Sequence, residues 1–474
     1  MSHKVTRRRF LKGLAVAAGS SVLAACAPTV VKETVIVEKV VEKVVKETVI
    51  VAGTPEVVEK VVTATPLPAS KERTAVRVMN WMLGEEWSSP GWDGLTELYH
   101  EEHPDIEIVG VPTQAGGADV VNFLLAVGAG NAPDLMEGVT PRMGQIVEAG
   151  AALPIEDMIR QEVLDDLVDS VRQANIWPDG HMYAVPWSCV YRQCYWNNYL
   201  CEQAGLDIDN LPLYLPEFDK AVRSIAALGT GEAGEPIYGY ARWNTRNYWA
   251  GLSYNWFLWM HDTDYVDDDW KVIIDQPPAV EAASLLKAWA VDGIAPTNFP
   301  GSDLGPMQVH NRLGANIHFS GYRGVLRSLS GEGEAFDEKM TITKVPYYKN
   351  GISQADVFPI TWFVSRQSKH PEEALRFAEF VATDPRATAI HWEHQQVPPV
   401  SKAFLASVTD DPFLQMQVEQ AENDLPFKLG YFAAFIEAME FAALALSNME
   451  VLHADVQSEL TGLAQNLRLL LGLE

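Results

Sequence analysis

The stretch DGHMYAVPWSCVYRQCYWNNYLCEQAG, from Asp179 to Gly205, carries the strongest fold signal in the chain. Asp-Gly opens it as a turn, and a β-branched and aromatic run leads to Pro186. A second such run covers Val190–Trp196, and a short amphipathic helix ends at the closing glycine. Because no helix fits between the two strands, the stretch predicts a chain that passes from one sheet to another at Trp187.

The same residues resemble a known family. Gly180, Tyr183 and Pro186, followed by Tyr195-Trp-Asn and Ala204-Gly-Leu-Asp, resemble the first inter-lobe crossing of sugar-type extracellular solute-binding proteins, the maltose-binding-protein-like family. Further landmarks of that family lie at Gly130–Asp134, Gly150–Asp157, Leu313–Arg323, Ser365–Phe380 and Gln396–Val400. The resemblance covers about residues 75–474. It implies an α/β, two-lobed periplasmic-binding-protein-like fold of type II with three inter-lobe crossings.

The resemblance also divides the chain into segments. Lobe 1 is expected to comprise residues 73–186 and 357–398, lobe 2 residues 187–345 and 400–474, and the second crossing residues 346–356. The residue pattern agrees for the first part of lobe 1, since Ala75–Trp81, a helix and Ile106–Val111 alternate as in a parallel α/β sheet.

The N-terminus has the composition of an export signal. Thr6–Lys12 is basic and is followed by the short apolar run Gly13–Ala25. Residues 1–26 resemble a twin-arginine signal, and Leu23–Cys26 resembles a lipobox whose cysteine is lipidated. We therefore expect Cys26 to be tethered to the outer face of the cell membrane, with a generic membrane anchor as the alternative.

Residues 27–72 differ in composition from the rest of the chain. VVKETVIV occurs at Val30–Val37 and again at Val44–Val51, and prolines follow. With no aromatic residue to build a core, this segment predicts a spacer between the membrane and the folded part. The 14-residue repeat equals two heptads, so a coiled coil is the alternative.

Length, charge and cysteine content limit the function classes. The 474 residues suit two domains, and the formal net charge of −27 argues against nucleic-acid binding. Beyond Cys26 the cysteines are Cys189, Cys194 and Cys201. Their odd number allows at most one internal disulfide, and their spacing does not fit a zinc site, so we expect buried small hydrophobic residues and no cofactor.

The candidate ligand-binding residues combine aromatic rings with polar groups. Aromatic rings cover the apolar C–H faces of a sugar, while charged and amide groups bind its hydroxyls. The resemblance and the aromatic segment from Trp243 onward select Trp81, Glu85, Glu137, Trp187, Trp243, Trp249, Tyr322, Arg323, Trp362 and Tyr431. The helical spacing of Trp249, Trp256 and Trp259 equally fits a core stripe. Gly138 departs from the family pattern, which has tryptophan shortly after the Pro-Asp turn.

These features predict a lipid-anchored, monomeric receptor that binds a solute, most simply a sugar or oligosaccharide, and presents it to the permease of an ABC importer. A polyamine-binding protein is the main alternative, because an acidic, aromatic cleft suits cations. A secreted glycosidase would need two carboxylates across a cleft. Cys189 and His181 form no recognisable catalytic motif, so we expect no enzyme.

Overall fold

The computed structural model describes residues 43–51, 54–62, 73–84, 89–114, 118–231, 233–408 and 410–474. The chain divides into two units, residues 1–71 and 72–474. In the first unit, β1 (Lys43–Val51) and β2 (Thr54–Val62) form an antiparallel hairpin with Val51 opposite Thr54. The coiled-coil alternative is therefore wrong for these residues, whose density of valine, isoleucine and threonine favours strands. The export signal, Cys26 and the first copy of the repeat lie outside the described residues.

The described part of the second unit contains ten strands and seventeen α-helices. The strands are β3 Thr74–Asn80, β4 Ile106–Pro112, β5 Leu135–Val139, β6 Ala184–Val190, β7 Arg192–Asn197, β8 Tyr238–Tyr240, β9 Leu313–Phe319, β10 Met340–Thr343, β11 Asp356–Val364 and β12 Leu425–Pro426. The helices are α1 Ser89–Glu102, α2 Ala118–Gly128, α3 Gly144–Glu148, α4 Gln161–Asp166, α5 Asp169–Ala174, α6 Asn198–Gln203, α7 Leu215–Ala226, α8 Tyr248–Met260, α9 Pro277–Val291, α10 Leu304–Val309, α11 Tyr322–Ser330, α12 Pro371–Thr383, α13 Pro385–Gln395, α14 Lys402–Ser407, α15 Pro412–Ala421, α16 Phe435–Val451 and α17 Val456–Leu471. Short 3₁₀ helices lie at Trp81–Gly84, Thr140–Arg142, Gly301–Asp303, Gly333–Lys339 and Lys428–Tyr431.

Two sheets organise the second unit. The six-stranded sheet has the order β12-β11-β5-β3-β4, with β6 also paired to β11, and the four-stranded sheet has the order β10-β7-β9-β8. β3 runs parallel to β4 and β5, while β11 is antiparallel to β5. The predicted strand–helix–strand alternation and α/β class are confirmed.

The chain first passes between the sheets at Tyr191, which separates β6 from β7. The prediction that Trp187 marks this passage is wrong, because β6 continues through Pro186 and Trp187. Pro186 faces Thr361, where the register between β6 and β11 is irregular. Proline is tolerated at such positions, since a bulge leaves a backbone N–H unpaired in any case. The second passage lies between β10 and β11, within the predicted region.

The predicted third passage, Gln396–Val400, remains beside the six-stranded sheet. Cys189 N donates to Pro398 O at 3.0 Å, and Val400 N donates to Trp187 O at 3.3 Å. Farther along, Phe413 of α15 contacts Arg323 of α11, β12 pairs with β11, and α16 packs against α8. The position of this passage depends on pairing with distant strands, and the predicted lobe boundaries remain predictions.

The core is aromatic on both sheets. α8 buries all of its residues except Trp249, which confirms a core role for Trp256 and Trp259. Cys189, Cys194 and Cys201 are buried free thiols, as expected for small hydrophobic residues. No helix among the described residues is long and apolar enough to cross a membrane.

Candidate functional site

Trp81, Glu137 and Trp187 meet at one end of the six-stranded sheet. Trp81 directly follows β3 and is half-buried, whereas Glu137 in β5 and Trp187 in β6 are buried. Both indoles lie close enough to the Glu137 carboxylate to favour its charged form. The carboxyl ends of neighbouring parallel strands are where open α/β sheets bind ligands. The structure therefore brings three of the predicted residues together in a place suited to binding.

Glu137 is an unusual group at this position. Both carboxylate oxygens are buried and have no well-aligned hydrogen bond to any residue that the structure describes. Burial raises its pKa well above the usual value, the charge of Asp119 raises it further, and Trp187 and Trp81 offset part of this rise. The carboxyl group therefore keeps its proton to higher pH than an exposed glutamate, and in that form it donates as well as accepts.

Trp362 belongs to the hydrophobic core that packs on the six-stranded sheet. It pairs with Glu137 across β11 and β5 but is fully buried. Its ring centroid lies 6.5 Å from that of Trp92 in α1 and 6.3 Å from that of Phe377 in α12. Trp187 lies against it at 5.4 Å, is itself fully buried and also packs on His391 of α13 at 4.2 Å, so it shares this packing role. These contacts assign Trp362 to packing between the sheet and its helices, and sequence position alone did not separate that role from ligand contact.

Arg142 and Asp119 form a buried ion pair that the sequence did not reveal. Arg142 ends the 3₁₀ helix after β5, and its Nη2 lies 3.3 Å from Oδ2 of Asp119 in the first turn of α2. The Nε and Nη1 groups of Arg142 are buried and have no hydrogen-bond partner among the described residues. Its place just beyond the carboxyl end of a strand is the one sequence signal that points to it.

Tyr248 of α8 lies within electrostatic reach of this ion pair. It is the first residue of α8, and its buried hydroxyl has no hydrogen-bond partner within the described part of the chain. Burial raises the pKa of Tyr248 to about 12, while Arg142 lowers it and Asp119 raises it. The hydroxyl therefore lies within electrostatic reach of both charges.

Trp243 and Trp249 form an aromatic platform beside Tyr248. Their rings are stacked at 5.7 Å between centroids and 26° between planes, and both side chains are half-buried. Trp249 also lies 6.1 Å from Phe358 of β11, so the platform reaches the six-stranded sheet. We refer to Trp243 and Trp249 as the tryptophan platform. It has the partial exposure and stacked geometry that suit the apolar face of a ligand.

Tyr322 contacts the tryptophan platform indirectly, through His318. Its hydroxyl accepts from Asn316 Nδ2 at 3.1 Å and donates to Gln308 at 3.3 Å. Its ring stacks on His318 at 3.8 Å, and His318 in turn lies 4.4 Å from Trp243. Burial lowers the pKa of His318 well below its usual value, and its Nδ1 has no hydrogen-bond partner among the described residues. Tyr322 thus positions a neutral imidazole beside the platform.

Arg323, Tyr431 and Glu85 are the remaining predicted residues, and the 3₁₀ helix that ends at Tyr431 packs against the one that carries Arg142. Arg323 Nε donates to Asp337 at 2.9 Å, and its guanidinium lies over Phe413, so its charge is committed within the protein. Tyr431 packs edge-on against Trp177 and Trp270. Glu85 is outside the described residues.

A second buried ion pair lies where the chain passes between the sheets. Arg192 Nε, at the start of β7, donates to both Asp356 oxygens, at 2.9 and 3.1 Å. Asp356 begins β11 and also accepts from Trp256 Nε1 at 2.5 Å. The guanidinium carbon lies 5.3 Å from the Trp256 ring and 5.4 Å from the Phe358 ring. This ion pair therefore links the start of β7, which follows the first passage, to the start of β11, which follows the second.

The thiol chemistry considered for Cys189 and His181 finds no support in the structure. Burial raises the pKa of Cys189, which disfavours a thiolate nucleophile. His181 is exposed and pairs with Glu156. No cluster of three or more histidine, cysteine, aspartate or glutamate side chains suited to a metal occurs in the described ranges.

Two sheets connected by chain passages, with polar and aromatic groups meeting between them, define a two-lobed solute-binding protein. The pattern of bacterial extracellular solute-binding proteins matches residues 84–387, and the chain belongs to this family. Its folded part is therefore extracytoplasmic.

Individual relatives agree with this assignment. A Brucella abortus (strain 2308) binding protein is 23% identical over 258 residues, 54% of this chain. The chain matches only 59% of the length of that relative. The maltotriose-binding protein of Pyrococcus abyssi (strain GE5 / Orsay) is 30% identical over 121 residues, 25% of this chain and 26% of that protein.

Solved structures share the fold. The GacH receptor of Streptomyces glaucescens GLA.O, solved unliganded and with acarbose, matches with a TM-score of 0.71 and 17% identity, over 84% of this chain and 99% of that one. Maltose-bound MalE3 of T. maritima gives 0.69 and 18%, over 84% and 100%. UgpB of Mycobacterium tuberculosis, in complex with glycerophosphocholine, gives 0.70 and 17%, over 84% and 98%.

Proposed function

We propose that this protein captures a neutral sugar or oligosaccharide between its two sheets and delivers it to an ABC permease. The observation that carries the proposal is the set of unpartnered polar groups beside a tryptophan platform. Arg142, Tyr248 and His318 each keep a buried polar atom without a hydrogen-bond partner among the described residues. A ligand that offers both donors and acceptors, together with an apolar face, matches this set.

The energetic argument is that buried polar groups rarely remain unpaired. Each such group costs about 1–3 kcal/mol when it has no partner. Sugar hydroxyls both donate and accept, so they satisfy the donors of Arg142 and the carboxyl group of Glu137 together. The pyranose C–H faces suit the rings of Trp243 and Trp249.

The charges favour a neutral ligand over a polyamine. Asp119 and Asp356 are each paired with an arginine. Burial raises the pKa of Glu137, so that carboxyl group resists ionisation. Among the described residues, neither Asp119 nor Asp356 is left as an unpaired carboxylate of the kind that would hold a polyamine ammonium group.

The same pairing favours binding over catalysis. A glycosidase uses one carboxylate as acid and a second as nucleophile or base. In the part of the chain that the structure describes, Asp119 and Asp356 are held in ion pairs, so neither is free to act as the second carboxylate with Glu137. The family is one of binding proteins.

The relatives support the ligand class without fixing it. The Pyrococcus protein is named for maltotriose, MalE3 holds maltose and GacH binds acarbose. UgpB binds glycerophosphocholine with a similar fold, so the fold leaves the ligand open and the side chains decide.

Delivery requires that the protein report whether its site is filled. A ligand that touches both sheets favours the state in which the sheets approach each other, and it shifts that population. We infer that the protein works as a monomer held to the membrane through lipidated Cys26, with residues 27–72 as the spacer.

Thermal unfolding of the purified protein against maltose, maltotriose, other oligosaccharides, polyamines and amino acids tests the proposal. A ligand at 100 times its dissociation constant adds about 2.7 kcal/mol to the free energy of unfolding. We expect stabilisation by a sugar, its loss in Trp249→Ala and its retention in Tyr199→Ala, which removes an exposed aromatic side chain on α6. Stabilisation by a polyamine alone would contradict the proposed ligand class.

A further inference from the structure

The position of Trp243 depends on a glycine more than fifty residues away. A Cβ added at Gly301 would lie 1.4 Å from Nε1 and 1.9 Å from Cδ1 of the Trp243 indole. Atoms cannot approach so closely, so the indole occupies the space that any other residue at position 301 would fill. The φ angle at Gly301 is not positive, so the requirement for glycine is one of space and not of backbone conformation.

Buried hydrogen bonds from Arg242 hold the backbone of Trp243 in place. Arg242 Nη1 donates to the Trp243 carbonyl at 2.8 Å and to Ser253 Oγ at 3.1 Å. Arg242 Nη2 pairs with Glu450 of α16, and both side chains are at most 4% exposed. A charge buried this deeply requires a counter-charge. Glu450 of α16 therefore holds the loop that carries Trp243 in place.

Asn244 ties the same loop to the segment that leads into Gly301. Asn244 N donates to Phe299 O at 3.3 Å, and Phe299 N donates to Asn244 Oδ1 at 2.5 Å. Asn244 Nδ2 also donates to Glu450 Oε2 at 3.3 Å. The loops on either side of the indole are therefore fixed relative to each other, and Gly301 cannot retreat without breaking these bonds.

We propose that Gly301 is a positioning residue for the ligand site: it fixes Trp243 in the stack with Trp249, with the Arg242–Glu450 pair as its support. The role in binding rests on the proposed function, whereas the effect on the position of the indole does not. An alanine at position 301 displaces the indole, because a side chain moves more readily than the braced backbone. The platform then loses its stacked geometry while the fold persists.

The matched control is Gly324→Ala. Gly324 lies in α11, has no heavy atom within 4 Å of an added Cβ, and has no positive φ. Both variants add one methyl group, so any general effect of alanine appears in both. The difference between them isolates contact with Trp243.

The test uses 5-fluorotryptophan-labelled protein and ¹⁹F NMR, with the two platform resonances assigned through Trp243→Phe and Trp249→Phe. We expect Gly301→Ala to shift both resonances by more than a linewidth and Gly324→Ala to leave them in place. We also expect the maltotriose dissociation constant to rise at least tenfold in Gly301→Ala only. Unmoved resonances overturn the proposal, and moved resonances with unchanged maltotriose affinity overturn the role in binding.

Two further results separate the possible failures. If the wild type binds no sugar, the proposed function fails, whereas shifted resonances still support the positioning role. If Gly301→Ala lowers the melting temperature, adding Trp243→Leu should restore it, because the smaller side chain vacates the contested space. A melting temperature that this second change lowers further contradicts the proposal.

Discussion

Two buried arginines in this protein have similar partners and different surroundings. Arg192 donates from Nε to both oxygens of Asp356, two aromatic rings flank its guanidinium, and its Nη2 is buried without a hydrogen-bond partner among the described residues. Arg142 makes one 3.3 Å contact with Asp119 and keeps two nitrogen atoms without a hydrogen-bond partner among the described residues. The first pair joins the starts of two strands, whereas the second lies just beyond the end of one.

The difference separates structure from binding. Arg192 contacts its carboxylate at 2.9 Å and lies against two aromatic rings, so removal of either partner leaves a buried charge without its counter-charge. A singly bonded guanidinium at a strand end keeps donors in fixed directions. Ion pairs of one chemical type therefore take different roles according to how closely the charges are paired and what covers them.

Removing Asp356 should have the largest effect. Asp356→Ala leaves Arg192 buried without a counter-charge, and we expect a loss of about 3–5 kcal/mol in the free energy of unfolding. Urea denaturation measures it. Arg192→Met combined with Asp356→Leu removes both charges and should be more stable than the single variant. A loss below about 1 kcal/mol in Asp356→Ala would show that the pair is not structural.

At the other pair, Arg142→Lys should affect binding instead. Lysine keeps the charge beside Asp119 but loses the planar fork of donors. We expect sugar affinity to fall by about 1.5–3 kcal/mol, with the free energy of unfolding within about 1 kcal/mol of wild type. Calorimetric titration and urea denaturation give the two values. Unchanged sugar affinity would place Arg142 outside the site.

The pH dependence of protein stability gives a third test, which concerns Glu137. Its pKa is raised in the folded protein, so from about pH 4.5 upward the folded state holds a proton that the unfolded state releases. Stability contributed by this group is present at low pH and is lost as pH rises. Glutamine does not titrate, so Glu137→Gln should gain stability relative to wild type between about pH 5 and pH 8. Parallel pH curves for the two proteins would contradict the assignment.

The smallest effect on the free energy of unfolding is expected from an exposed ion pair. Lys344 Nζ lies 2.8 Å from Glu419 Oε2, and the two side chains are 31% and 67% exposed. Solvent and salt screen such a pair, so Lys344→Ala should change the free energy of unfolding by at most about 0.5 kcal/mol. A loss as large as that of Asp356→Ala would mean that burial does not decide the strength of these pairs.

Periodicity and turn chemistry were enough to predict much of the fold. They gave the parallel strands β3 and β4, the aromatic helix α8 and a change of sheet within Asp179–Gly205, although it lies at Tyr191 and not at the predicted Trp187. They did not show that Pro186 is accommodated inside β6, since that depends on an irregular register with β11. The path of Gln396–Val400 was missed for the same reason, because its partners lie more than two hundred residues away.

The site was harder to predict than the fold. Sequence selected Trp249, which stacks on Trp243 and reaches Phe358 of β11, and Glu137, which lies close to Trp81 and Trp187. It also selected Trp362, because a core tryptophan and a ligand-facing tryptophan look alike until burial is known. Arg142 was missed because its meaning depends on Asp119 and on unused donors, which exist only once the chain has folded.

The most direct measurement is a crystal structure of the protein with the sugar that stabilises it. The account predicts a sugar that stacks on Trp249 and accepts a hydrogen bond from Arg142, so that one ligand touches groups from both sides of the second unit. A sugar bound to one side alone, or away from both residues, would contradict the proposal that ligand capture joins the two sheets.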